Sequence, residues 1–120
     1  MKESKFVPNF VQGLSRLLVL WLLSIEPRSG YGLMGEVKRL TGYRLHPSFI
    51  YPFLKSLEGG EFIIGNWVKK GGRHIKYYSL TERGRGLLEK ARTVFRKPMK
   101  GLITDLLKSD DAVSLNSQTG

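Results

Sequence analysis

The chain has 120 residues, 41% hydrophobic and 25% charged, which suits one packed domain and is too short for two ordinary ones. Its 20 Lys and Arg against 10 Asp and Glu give a formal net charge of +10, which points to a polyanionic partner, either nucleic acid or an anionic membrane surface. There is no cysteine, so disulfides, thiolate zinc sites and cysteine nucleophiles are excluded and a reducing compartment is allowed.

Residues 1–7 read as a short charged arm, with Pro8 opening a first helix, since proline's missing N–H is harmless in a first turn. Leu14, Leu17, Leu18, Trp21 and Leu22 recur at helical spacing, and Val19, Leu20 and Leu23 widen the stripe. Such a helix is either central to the core or also meets a partner chain. Its longest apolar run, Leu17 to Leu23, is shorter than the roughly 20 residues of a membrane span, and no small-x-small cleavage site follows, so neither membrane insertion nor secretion is expected. Glu26-Pro27 ends the helix.

The segment Arg28 to Gly32 reads as a turn in which Ser29 caps a second helix over 31–41. Leu33, Met34, Val37 and Leu40 point inward, and Thr41-Gly42 stops it. Residues 43–46 form a polar linker. A third helix starts at Pro47 or Ser48, buries Ile50, Phe53, Leu54 and Leu57, and closes at Gly59-Gly60. Two β-branched and aromatic stretches flank Gly71-Gly72, a hairpin signature over about 62–80. Thr81 caps a last helix carrying Leu87, Leu88, Ala91, Val94 and Phe95. It continues to about 108 with a kink at Pro98, and 109–120 reads as a disordered tail.

The expected class is mainly α with a small β-hairpin. Three helices, two strands and a helix in that order make a winged helix-turn-helix over 1–80, followed by a C-terminal helix over 81–108. Charge is uneven along the chain: residues 61–100 hold eleven Lys and Arg against three acids, a local +8 around the hairpin and the helix after it. Like charges at a hairpin tip repel, so an external anion, phosphate, is expected there.

Several marks recur in fixed order: Gly30-Tyr31, Tyr51-Pro52, Leu54-x-x-Leu57-Glu58, Gly60-x-Phe62-Ile63, Gly72-Arg73, Tyr77-Tyr78 and Thr81-x-x-Gly84. With them, over about residues 14–90, the chain resembles the PadR family of transcriptional regulators. The resemblance implies a homodimeric winged-helix DNA binder of the short subtype, commonly a repressor, whose first and C-terminal helices build the dimer. Phe49, where small residues are common, and Pro98 with Gly101 in the last helix depart from the family pattern.

The predicted recognition helix, about 47–58, offers Ser48, Tyr51 and Lys55 to the major groove. The wing offers Lys69, Lys70, Arg73 and His74 to phosphates or the minor groove, with Lys76 one strand residue further on. Tyr77 and Tyr78 face opposite sides of their strand, and core packing is expected for Trp67 and for both tyrosines. Phe10, Leu14, Trp21 and Phe95 are either dimer core or, as in some relatives, the lining of a pocket for a flat hydrophobic effector. The partners implied are a pseudo-palindromic DNA duplex and a second copy of the chain, in the cytoplasm, with no cofactor or metal.

Charge does not separate DNA from RNA, so an RNA-binding or ribosome-associated winged helix stays open. The Gly32-Leu33-Met34-Gly35 match to a KH loop lies inside a helical stripe. A winged helix that only bridges proteins would not need the basic wing. Enzymatic chemistry lacks any HxH, HExxH or close carboxylate pair to carry it.

Overall fold

The structure, a computed structural model, describes residues 3–96 and 98–108. Among these residues the chain forms five α-helices and one three-stranded antiparallel sheet, mainly α with a small β element as the sequence predicts. The order is α1 (Glu3–Ile25), β1 (Arg28–Ser29), α2 (Gly30–Thr41), α3 (Pro47–Gly59), β2 (Ile63–Lys70), β3 (Arg73–Leu80), α4 (Glu82–Arg96) and α5 (Pro98–Leu106). The expected tail, 109–120, lies outside the described residues.

The chain divides into two compact units, one up to Leu88 and one from Glu89 onward. In the first, α1, α2, α3 and the sheet enclose Val19, Leu22, Leu33, Val37, Leu45, Ile50, Leu54 and Ile63, each at most 2% exposed. Leu88 on α4 joins that core. In the second unit Glu89 pairs with Arg92 at 2.7 Å and Arg96 at 3.4 Å. The hydrogen bond from Arg92 is the main cause holding the Glu89 carboxyl below its ordinary range.

Local chemistry explains the boundaries. Ser29 Oγ accepts from Gly32 N–H at 3.0 Å and caps α2, and Gly42 ends that helix at φ 79° with its N–H donating to Lys38 O. His46 caps α3 through Nδ1, which faces Ser48 N–H at 3.5 Å and Ser48 Oγ at 3.0 Å. Gly71 and Gly72, at φ 59° and 78°, form the two-residue turn of the hairpin, the conformation that matches strand twist. Thr81 Oγ1 accepts from Gly84 N–H at 3.1 Å and donates to Glu61 O at 2.7 Å, tying the start of α4 to the exit of α3.

Several expectations need correction. The arm of residues 1–7 is helical from Glu3, and Pro8 sits inside α1. Ser4, whose carbonyl loses its partner there, is exposed, so water can take the place of the missing bond. The turn at Arg28-Ser29 is a two-residue strand on β3, pairing Arg28 with Tyr78 and Ser29 with Tyr77. The linker 43–46 hides Leu45, 2% exposed, whereas Leu40 on α2 is 41% exposed. Gly101 lies inside α5, and Val94, expected on the apolar stripe of the last helix, is exposed. On α1 the buried residues are Val11, Ser15, Val19, Leu20, Leu22 and Leu23, while Leu14 and Trp21 face out. By length and composition α1 could span a membrane, but the four apolar residues from Val19 to Leu23 in that set lie in the core.

Gly84 at the start of α4 lies against the segment before β2 and the end of β3: a Cβ there would strike the Phe62 carbonyl and Leu80. Gly84→Ala should therefore destabilise the fold by about 1–3 kcal/mol, as overpacking does. A lower urea midpoint at unchanged slope would show it. An unchanged midpoint would mean that the contact is slack.

Candidate nucleic-acid interface

The sheet has two faces of different character. Ile63, Gly65, Trp67 and Lys69 on β2 pair directly with Leu80, Tyr78, Lys76 and His74 on β3, and paired residues share a face. At the base this face is core: Ile63, Tyr78 and Leu80 are buried. Towards the tip it leaves the core and carries Trp67, Lys69, His74 and Lys76. The opposite face carries Asn66, Val68, Lys70, Tyr77 and Ser79, which with Pro27 line a shallow depression.

One carboxylate ties the recognition helix to both wing strands. Glu58 on α3 accepts from Lys76 Nζ on β3 at 2.9 Å (Oε1) and from Gly65 N–H on β2 at 3.2 Å (Oε2). Any side chain at 65 would press on Glu58 Oε2, at 2.9 Å, and on Lys76. The Lys76 ammonium also lies 5.4 Å from the Tyr78 ring centroid and 5.9 Å from that of Trp67. The bond to Glu58 is the leading cause that raises the Lys76 pKa above its ordinary value. Burial raises that of Tyr78, against the opposing effect of Lys76.

Between the starts of α2 and α3 and the wing lies an open groove of about 660 Å³, lined by Tyr31, Tyr51, Trp67, Arg73, His74 and Lys76 among others. Tyr51 reaches it over Gly30, where a Cβ would come within 2.6 Å of the ring. That accounts for the Gly30-Tyr31 and Tyr51-Pro52 marks together: the glycine makes room for the second tyrosine.

The predicted site residues thus fall into groups. Tyr51, Arg73, His74 and Lys76 share the groove. Ser48 and Lys55 are exposed on α3, and Lys69 and Lys70 are exposed beside the turn. Lys76 differs from the other wing cations because its charge is committed to Glu58. Phe10, Leu14 and Trp21 lie along one side of α1 and are 66%, 36% and 37% exposed. Phe95 is half-buried on α4, in the second unit. Arg28 is held by Glu26 and Glu36, at 3.4 and 3.6 Å, and buttresses the start of α2. Phe49 stacks on Phe53 at 5.9 Å under the Arg16 guanidinium.

Two groove residues escaped the sequence reading. Tyr31 is 79% exposed, and Trp67, expected in the core, is 67% exposed. Period-two alternation from Ile63 does put Trp67 on the core-facing side, but the wing runs past the edge of the core. An eight-residue strand that ends in two lysines was the available signal.

The sequence matches the family described as "Transcriptional regulator PadR-like family" over residues 19–90. A PadR family transcriptional regulator from Eggerthella lenta DSM 2243 is 25% identical with a TM-score of 0.72, over 88% of this chain and 93% of that one. A PadR-like regulator from Bacillus cereus strain ATCC 14579 shares the fold, with a TM-score of 0.73 at 22% identity over 84% of this chain and 99% of that one. Bacillus subtilis PadR, solved in complex with operator DNA, is 31% identical with a TM-score of 0.58, over 62% of this chain and 44% of that one. No curated protein matches the chain.

The Glu58 bridge makes a pH prediction. A lysine whose folded pKa is raised contributes stability that is complete below its unfolded pKa and is lost as pH rises through the folded value. The Lys76 side of the bridge should therefore hold at neutral pH and be lost as pH rises through the raised Lys76 pKa, which ¹³Cε NMR of Lys76 would follow. Glu58→Gln should lower the Lys76 pKa, since the raising hydrogen bond loses its charged acceptor, and speed amide exchange at Gly65. Slow exchange at Gly65 in that variant would show that the bridge does not hold the wing.

Proposed function

Since the chain belongs to the PadR-like family of transcriptional regulators, we propose that it is a homodimeric, sequence-specific repressor of double-stranded operator DNA. In this reading α3 enters the major groove with Ser48, Tyr51 and Lys55, and the wing lays Lys69, Lys70, Arg73 and His74 on phosphates or in the minor groove. The observation that carries it is the shared groove: Tyr51 from the recognition helix lines the same surface as Arg73 and His74 from the wing. A relative solved on operator DNA supports the same assignment. Lys76 contributes through Glu58 more than through phosphate. Residues 1–80 act as the DNA-binding domain and 81–108 as the dimerisation segment. Such a role is carried out in the cytoplasm.

Unpartnered apolar surface supports the dimer. Phe6, Phe10, Trp21 and Ile25 on α1 are exposed, as are Leu102, Leu106 and Leu107 at the C-terminal end, and α5 buries no residue. A helix with nothing buried gains little by itself, and covering it with a second copy supplies the missing burial. Two-fold symmetry then calls for a pseudo-palindromic operator, with half-sites roughly 34 Å apart or a multiple of that. A flat hydrophobic effector would sit beside Trp21 with Phe10 and Leu14 on α1.

Selection of bound sequences from random duplex DNA should return a two-fold symmetric motif. With six phosphates neutralised per dimer, log K should fall with log salt at a slope of about −5. Reversing Lys69, Lys70 and Arg73 together to Glu should abolish binding by anisotropy and leave folding and dimerisation intact. Binding that survives the reversal would remove the wing from the interface.

The dimer has its own test. Phe10→Glu combined with Trp21→Glu changes exposed residues, so the subunit should stay folded while sedimentation shifts to monomer and duplex binding weakens. A dimer that persists would place the contact elsewhere.

A further inference from the structure

The groove between α2, α3 and the wing has a lining that phosphate neutralisation alone does not use. Its side walls are two aromatic residues with most of their surface in water, Tyr31 on α2 and Trp67 on β2. Lys76 beneath Trp67 brings no free charge, because Glu58 already holds it. The rim supplies Arg73 and His74, for which no ion pair is found among the described residues. Aromatic walls with a cationic rim match a ligand that alternates apolar rings with anions. A deoxyribose–phosphate strand has that alternation: sugar C–H faces pack on aromatic rings, and the flanking phosphates meet the cations. Tyr51 joins the groove to the recognition helix. A strand bordering a major groove occupied by α3 would pass between that helix and the wing.

We propose that this groove seats one strand of the duplex, with Trp67 and Tyr31 packed on deoxyribose faces and Arg73 and His74 on the adjoining phosphate. The inference rests on the DNA-binding reading above and adds an uncharged, sequence-independent grip to it.

The chain has two tryptophans, so Trp21→Phe leaves Trp67 as the only indole reporter. Titration of that variant with a selected duplex should change Trp67 emission saturably, with the midpoint given by anisotropy. Trp67→Ala and Tyr31→Ala should each weaken binding by about tenfold, equally for all duplexes, and leave the salt slope at the wild-type value. Trp67→Phe should retain most of the affinity, and unchanged thermal melting should confirm that the variants fold. Wild-type affinity in Trp67→Ala, or emission that ignores a bound duplex, would overturn the seat while leaving DNA binding intact. Emission that responds to a planar aromatic carboxylate but not to duplex would also overturn it, assigning the groove to a small molecule. No binding by the wild-type protein to any duplex would overturn the DNA-binding reading itself.

Discussion

The position of the wing against the recognition helix depends on a carboxylate shared between three elements. Glu58 leaves the last turn of α3 and accepts hydrogen bonds from both wing strands, through Lys76 Nζ and Gly65 N–H. A two-stranded hairpin on its own is marginal in water. Here its outer half extends past the hydrophobic core, where Trp67, Val68, Lys69 and Lys70 are all exposed. The Glu58 contacts lie where burial gives out and hold the hairpin at a fixed distance from the recognition helix. Lys76 thereby becomes internal scaffolding, while the cations nearer the turn stay available.

Close approach is the second constraint, and three glycines meet it in the same way. Gly30 lets the Tyr51 ring lie against the start of α2, Gly65 lets Glu58 cross β2, and Gly84 lets α4 begin against Phe62. None of the three has a positive φ, so their role is lack of bulk and not backbone freedom. Each brings together elements that carry or support the groove. The short motifs that suggested the family are therefore packing contacts first: Gly30 with Tyr51, and Thr81 with Gly84, are partners in space.

Much of the fold was legible because the signals were periodic or local. The stripes of α2 and α3, the Ser29 cap, the Gly42 stop and the Gly71-Gly72 turn each follow from residues within a turn or two of one another. What escaped was short or distant. The β1 strand has two residues, too few for any alternation to show. Leu45 is a lone apolar residue among polar neighbours, and only the tertiary fold buries it. The Pro8 rule failed because an exposed first turn can let water stand in for the lost hydrogen bond. Lys76 looked like its neighbours in the wing because its partner lies 18 residues away in sequence. Trp67 was misassigned because residue type suggests burial, whereas its place beyond the edge of the core decides otherwise.

The left-handed turn also limits how this wing can evolve. Positions 71 and 72 both have φ near +60° to +80°, where an ordinary side chain costs roughly 1–2 kcal/mol. A third lysine or arginine at the apex is thus penalised before it meets any ligand. Growth of the hairpin is restricted as well: one residue added to each strand between the core and Lys69–His74 would turn both cations to the opposite face, so lengthening there keeps them in place only by two residues on each strand.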